Sequence, residues 1–466
     1  MKDLGIYAIG NLGAKIITFA MMAVYSFFVK DTGDFGYYDL CFTIILLVLS
    51  FTTLQLRDGT LRFLLDTDNE QRRSRIVTFI YRTLLSTSTL CLIATAVVSL
   101  FTSIAYVWYS LGLLIVMTFY EVVTQIARGL GKNKVFVLTG IISSSLIFLF
   151  SIIFVVIMGM GIKGIFITNI LARLGALIFM DCRLKILATY FKFRINVKDV
   201  ATDMLKYSIP LIPASLCWWL TSGSDRWFIS HYVGLDANGV YAIAARFTGI
   251  IQVLAFTYYQ AWQETSILQY HSSDRDKFFT NMLNSYISIL VVILTLYTFS
   301  LKLLYPILVG SNYQDSLQYI YPLGISAAFY ALVFFFDMGY QCAKDTKRSM
   351  PGVFLAAFVN VVLNIVLVQH YGPFGAIAAS IITFVILLLY RIIDTRRYFK
   401  LSFHASTMVP VTIMLLGAGL FYIIDSWWLI IAYMLAACAL CYFSIASETR
   451  RDIQNTLLKK TRFNKQ

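Results

Sequence analysis

The stretch DLCFTIILLVLSFTTLQL, Asp39 to Leu56, decides the class of this molecule. A strand crossing a membrane would alternate apolar and polar residues over about 10 positions. This stretch does not alternate: after Asp39 it stays apolar or weakly polar for long enough to cross hydrocarbon as a helix, which needs about 20 residues. Only a helix or a closed barrel satisfies its backbone without water, so the run reads as a transmembrane helix.

Similar runs fill the rest of the chain. Of 466 residues, 59% are hydrophobic and 13% charged, against roughly 25% charged in a soluble globular protein. No soluble domain of any size fits. Fourteen spans can be delimited, over residues 4–29, 37–56, 76–100, 104–127, 135–158, 164–183, 207–232, 239–262, 278–300, 320–343, 351–369, 374–393, 407–424 and 427–446. The first is too long for a signal-peptide core of about 7 to 15 residues and reads as a retained helix. The fold class expected is therefore an all-α polytopic membrane protein of fourteen transmembrane helices.

Lys and Arg fix the expected orientation, because they collect in cytoplasmic loops. With the N-terminus inside, inner segments hold thirty of them and outer segments three, Lys30, Lys163 and Lys302. One missed or invented span would exchange the sides of every later loop and destroy that asymmetry. The net charge of +14 thus reads as a topology signal facing an anionic leaflet, with membrane lipids and no nucleic acid as partners. Both termini are expected in the cytoplasm, and the polar, basic tail 448–466 on or near the inner surface. The seven cysteines lie mostly within apolar runs and read as small buried hydrophobes, the CxxC of Cys438 and Cys441 included. The four histidines have no metal spacing, so no metal or cofactor is expected.

The chain repeats itself. TGDFGYYDL (Thr32 to Leu40) matches LDANGVYAI (Leu235 to Ile243), with Gly36 and Tyr38 falling on Gly239 and Tyr241 at a constant offset. GMGIKGIF (Gly159 to Phe166) likewise matches HYGPFGAI (His370 to Ile377). Six spans separate the copies, and an even number makes the repeats parallel, with a site expected between the halves. The organisation that follows is an N-lobe over 1–190 (spans 1 to 6), a cytoplasmic linker over 191–206, a C-lobe over 207–400 (spans 7 to 12), spans 13 and 14 within 401–447, and the tail. The glycines also have a plainer use, in tight turns and close helix approach.

Seven ionisable residues stand out as lying well within spans, where a charge is costly and marks a functional candidate: Lys15, Glu121, Arg173, Asp225, Arg226, Arg246 and Asp337. At 1.5 Å per residue, Lys15 and Arg173 sit roughly 16 and 14 Å from their span ends, and Arg226 and Arg246 roughly 12 and 10 Å. Four deep cations suit an anionic cargo, with Arg giving planar bidentate contacts to phosphate and Lys a point charge. Lys15, Arg173, Arg226 and Arg246 are thus the candidates for lining a substrate path. Asp225 is expected to form a structural or gating pair; being next to Arg226 on a helix, it faces elsewhere. Glu121 and Asp337 occupy equivalent spans 4 and 10, and either pair with basic residues as an inner gate or hold a coupling H⁺ or Na⁺. Pro210 and Pro213 should kink span 7. Arg82 lies close enough to a span end to snorkel.

SDRWFISHYVGLDANGVYAIA (Ser224 to Ala244), NVVLNIVLVQHYGPFGAIAASIIT (Asn360 to Thr383) and FGYYDL with RDGTLRF (Arg57 to Phe63) resemble the signatures of Wzx-type polysaccharide or O-antigen flippases, the polysaccharide transporter family of the MOP exporter superfamily. The resemblance implies MATE-like V-shaped lobes, in a bacterial inner membrane, that move an undecaprenyl-pyrophosphate-linked glycan by alternating access. It also implies contact with polysaccharide polymerase machinery, and it brings no catalytic residues. Multidrug exporters of the MATE type and lipid II flippases share the expected fold and are the nearer rivals. A membrane glycosyltransferase or polymerase is the enzyme alternative, suggested by Asp31 and Asp34, but the outer loops are too short to build such a site. Among the multidrug exporters a carboxylate usually stands in the first span, where this chain has Lys15.

Overall fold

The computed structural model describes Ile17 and residues 20–444; Lys15, most of the first expected span and the tail 448–466 lie outside the described residues. All regular structure among the described residues is helical, and eleven helices are long and apolar enough to cross a membrane. The protein is a multi-pass membrane protein.

After a helical stretch over 20–28, the helices are α1 (Thr32–Thr52), α2 (Leu56–Leu65), α3 (Glu70–Phe101), α4 (Val107–Gly129), α5 (Asn133–Ser151), α6 (Gly161–Leu184), α7 (Ile186–Tyr190), α8 (Lys198–Ser208), α9 (Ile212–Ser222), α10 (Asp225–Tyr232), α11 (Leu235–Gln269), α12 (Arg275–Leu308), α13 (Leu317–Cys342), α14 (Met350–Thr395), α15 (Met408–Ile423) and α16 (Trp427–Ser444). A π-helical turn, Ile152–Ile157, prolongs α5.

Three expected spans take a different form. The seventh is not one helix: Pro210 lies in a 3-10 turn, Ile209–Leu211, Pro213 begins α9, and a second break at Gly223 and Ser224 separates α9 from α10. Proline lacks the amide that a continuous helix needs, so no piece is long enough to span alone. The eleventh and twelfth run on as the 46 residues of α14, bent where Gly372 takes φ 56° and ψ −136°. That left-handed backbone is open to glycine without a Cβ penalty, and Pro373 follows it. Gly161, the counterpart of Gly372 in the sequence repeat, has φ +54°.

The chain divides into two compact units, residues 1–242 and 243–466. In the first, the short α2 lies against α4 and α8, and buried Leu64, Ile80, Leu84, Ile126, Met180 and Met204 form its apolar core. Asp31 caps α1 by accepting from the Gly33 and Asp34 amides at 2.8 and 3.1 Å, a helix-capping role that accounts for an acid otherwise suggestive of an enzyme. Arg82 donates to the Phe193 and Ile195 carbonyls at 2.5 and 3.2 Å, so it holds the linker. Arg75 and Asp199 pair nearby at 3.0 Å, and the Val200 amide, then the amide of Asp199 itself and after them Arg75, keep the Asp199 carboxyl below its ordinary range.

In the second unit, α15 and α16 dock on α12 through polar contacts at both ends. At one end Asn284 donates to the Ser402 carbonyl at 3.1 Å and accepts from the His404 amide at 3.0 Å and from the Thr407 hydroxyl, while Ser288 meets Ser444 at 2.8 Å. At the other, Lys302 donates to the Phe421 and Ile424 carbonyls, both at 2.6 Å, and pairs with Asp425 at 3.0 Å. Those carbonyls end α15, where a helix presents unsatisfied acceptors and partial negative charge. Lys302, one of three expected outer cations, is thus a helix cap. Replacing it with Met is expected to cost about 2 kcal/mol and to speed hydrogen exchange in 408–444 ahead of the rest of the chain. Unchanged exchange there would refute the capping role.

Candidate functional site

α1 and α11 cross at their N-terminal ends inside the first unit. A Cβ on Gly36 would run into the Leu235 carbonyl, and one on Gly239 into the Thr32 carbonyl. The contact is reciprocal: residues paired by the sequence repeat meet each other's helix at the same register. Asn238 donates to the Gly36 carbonyl at 2.8 Å and Thr32 to the Asp236 carboxylate at 2.5 Å, which fastens the crossing.

The repeat tyrosines follow two residues later, both buried, and each connects to an arginine by a different intermediary. Tyr38 accepts from the Asn169 amide at 3.1 Å. That amide also donates to the Ile165 carbonyl at 2.9 Å, so its oxygen is turned to Arg173, whose Nη1 donates to it at 2.7 Å and to the Asn169 carbonyl at 3.1 Å. Tyr241 instead donates to Asp225 at 2.9 Å, with the Arg226 guanidinium 5.5 Å from its ring centroid. Arg226 also donates to the Ser222 carbonyl at 2.9 Å and stands 3.5 Å from the carboxylate of Asp39 on α1. The break at Gly223 puts Asp225 in the first turn of α10, where a helix N-terminus favours an anion.

The two arginines therefore stand in opposite electrostatic states. Among the described residues, Arg173 is half-buried and its hydrogen bonds all go to neutral oxygens of Asn169. Arg226 is matched by a carboxylate that is itself 5% exposed. Asp225, expected in a structural or gating pair, accepts from Tyr241, and Arg226 takes Asp39 as its counter-charge.

The remaining candidates lie apart from this cluster. Glu121 on α4 pairs with Arg57 of the short helix α2 at 3.1 Å. In the second unit Asp337 on α13 pairs with Arg391 on α14 at 3.0 Å; Arg391 is 1% exposed and packs 4.8 Å from the Tyr340 ring centroid. Arg391, which the sequence counts with Arg396, Arg397 and Lys400 among the thirty inner-segment cations, is instead a buried counter-ion. Arg246 lies half-buried on α11. Lys15 falls outside the described residues. Sequence reading missed Asp39, Asn169 and Arg391 as members of charged networks. Asp39 sits so near a span start that it passed for a boundary residue, and Asn169 carries no charge; its one signal was its place one turn before Arg173.

A sequence profile described as "Polysaccharide biosynthesis protein" matches residues 1–262, more than half of the chain and all of the cluster around Gly36, Arg173 and Arg226. The chain belongs to that family. No curated protein matches this member of the polysaccharide biosynthesis family. Among solved structures it is similar to one titled "Lipid II flippase MurJ, inward closed conformation", with a TM-score of 0.72 at 15% identity over 96% of this chain and 99% of that one. It is also similar to an inward-facing multidrug resistance MATE family transporter of the MOP superfamily, with a TM-score of 0.63 at 14% identity over 84% and 98% of the two chains. An outward-facing MATE transporter gives a TM-score of 0.50 at 15% identity over 85% and 99%. At these identities the likeness establishes a shared fold, that of the MurJ and MATE transporters.

Proposed function

We propose that the protein is a flippase, and not an enzyme, that carries an undecaprenyl-pyrophosphate-linked oligosaccharide, an O-antigen or similar repeat unit, across a bacterial inner membrane by alternating access. The observation that carries this reading is Arg173: a guanidinium within a span, half-buried, bonded among the described residues to Asn169 and to no carboxylate. Placing a cation in hydrocarbon costs several kcal/mol, and a structural arginine recovers part of that by pairing, as Arg391 does. An arginine held in a fixed pose by a neutral amide keeps its charge and its planar fork for a visiting anion. A pyrophosphate meets that requirement and a cationic drug does not.

The same reading takes the chain as fourteen spans with both termini cytoplasmic. These are the eleven above, α14 counted as two spans at Gly372, the broken segment over 207–232 that holds α9 and α10 as one, and a first span over 4–29. The crossing at Gly36 and Gly239 then closes the outer side, and Arg57 with Glu121 stands at the inner side as a gate. Lobes over 1–190 and 207–400, joined by the linker 191–206, would rock about the cargo, driven by an H⁺ or Na⁺ gradient. Spans 13 and 14 and the basic tail lie outside the duplication. Polymerase machinery would take the delivered repeat unit.

The test is reconstitution into liposomes with a fluorescent undecaprenyl-pyrophosphate oligosaccharide, following the loss of label protection as lipid moves between leaflets. Wild type should move it, while Arg226→Gln and Lys15→Gln at matched insertion should slow it at least tenfold. A wild-type protein that ignores this lipid but expels organic cations would replace the reading with multidrug export. One that moves only lipid II would keep the pyrophosphate chemistry and change the glycan.

A further inference from the structure

We propose that Asp39 is a built-in competitor for the cargo's phosphate: it occupies Arg226 while α1 and α11 are crossed, and it gives up that arginine when they part. The inference rests on the flippase reading for the identity of the anion, and on geometry alone for the lock itself.

Asp39 follows Gly36 by three residues, so both lie on one side of α1. Gly36 is pressed against α11, and Asp39 meets Arg226 of α10 at 3.5 Å. Tyr241 of α11 holds Asp225, the neighbour of Arg226, at 2.9 Å and so ties α10 to α11, and a motion that draws Gly36 from Gly239 with that tie intact also draws Asp39 from Arg226. The pair is withdrawn from water, with side chains 5% and 18% exposed, and separating two such charges is unfavourable unless another anion takes the vacated place. A cargo pyrophosphate can do so, because it offers the guanidinium the same oxygen acceptors as the carboxylate it replaces. The lock thereby couples opening of the crossing to the presence of an anion. It also gives the two path arginines different duties. Arg173, held by neutral Asn169, is available for capture in the crossed state, and Arg226 becomes available only as the crossing opens.

The experiment uses the full chain in lipid nanodiscs, with undecaprenyl pyrophosphate as probe and undecaprenol as the uncharged control. Asp39→Asn should tighten binding of the pyrophosphate about tenfold, the gain expected if Arg226 is free in about a tenth of wild-type molecules, and should leave undecaprenol binding unchanged. The gain should vanish in Asp39→Asn with Arg226→Gln, and Asp39→Glu should restore wild-type affinity. Hydrogen exchange without any ligand gives a second readout, which also serves if Asp39→Asn does not fold. Arg226→Gln alone should speed exchange over 32–40 and 235–241, because it removes the lock from the other side. Unchanged exchange in Arg226→Gln, or an affinity gain that survives its addition to Asp39→Asn, would overturn the proposal. If wild type fails to flip the glycolipid while exchange at the crossing still answers to Arg226→Gln, the flippase reading falls and the lock stands. If flipping is intact and the affinity effects are simply additive, the lock falls alone.

Discussion

Arg173→Gln is expected to reduce glycolipid flipping about 100-fold at matched insertion into liposomes, while leaving the fold intact. The size follows from what is lost: two charge-assisted hydrogen bonds from one guanidinium to a phosphate, worth about 3 kcal/mol together. The fold should survive because Arg173 forms no ion pair among the described residues; its bonds reach only Asn169, one turn away on α6. Arg173→Lys should recover part of the rate, since it restores the charge without the planar fork. The sharper variant is Asn169→Asp, which places a carboxylate against Arg173 and so installs there the kind of partner that Arg226 already has. It should slow flipping nearly as much as losing the arginine, whereas Asn169→Leu, which removes orientation but not charge, should cost less. Wild-type rates in both Arg173→Gln and Asn169→Asp would sink the idea that this cation reads the cargo.

Much of the helical architecture could be read from the chain because hydrocarbon leaves few options. The run from Asp39 has one way to satisfy its backbone and is helical to Thr52, where left-handed Leu54 and Gln55 end it short of the expected Leu56, and Pro210 and Pro213 have one way to interrupt the seventh span. The glycines of the repeat were legible for a similar reason: Gly36 and Gly239 occupy places where a Cβ does not fit. What failed to show was anything set by contacts between segments remote in sequence. The break at Gly223 and Ser224 turns Asp225 from a mid-helix charge into one at a helix N-terminus, and single-helix periodicity does not reveal it. Asp39 lay at a span boundary, where an acid is unremarked, and only the position of α10 shows that it meets Arg226. Arg391 made the reverse error plain. It stands among Arg396, Arg397 and Lys400 in sequence and so counted with the loop, yet its side chain turns inward to Asp337.

That pair carries the second large expected effect. Asp337→Asn should destabilise the protein by about 3–5 kcal/mol, because it leaves the guanidinium of Arg391, 1% exposed, without its counter-charge. Arg391→Met should cost less, since a carboxyl left alone can take up a proton and become neutral, whereas a guanidinium cannot lose one. The double variant should recover most of the stability, as a buried ion pair replaced by groups of similar size often costs little. Thermal unfolding of the four proteins in one detergent closes the cycle, and additive losses would show that the two side chains do not act as a pair. The double variant also separates the two readings of Asp337. If it is stable and still flips under an imposed H⁺ or Na⁺ gradient at the wild-type rate, the pair holds α13 to α14 and nothing more. If it is stable but its flipping no longer responds to the gradient, the carboxylate at the helix packing seam is where the driving ion binds, and Arg391 is the charge that ion must displace.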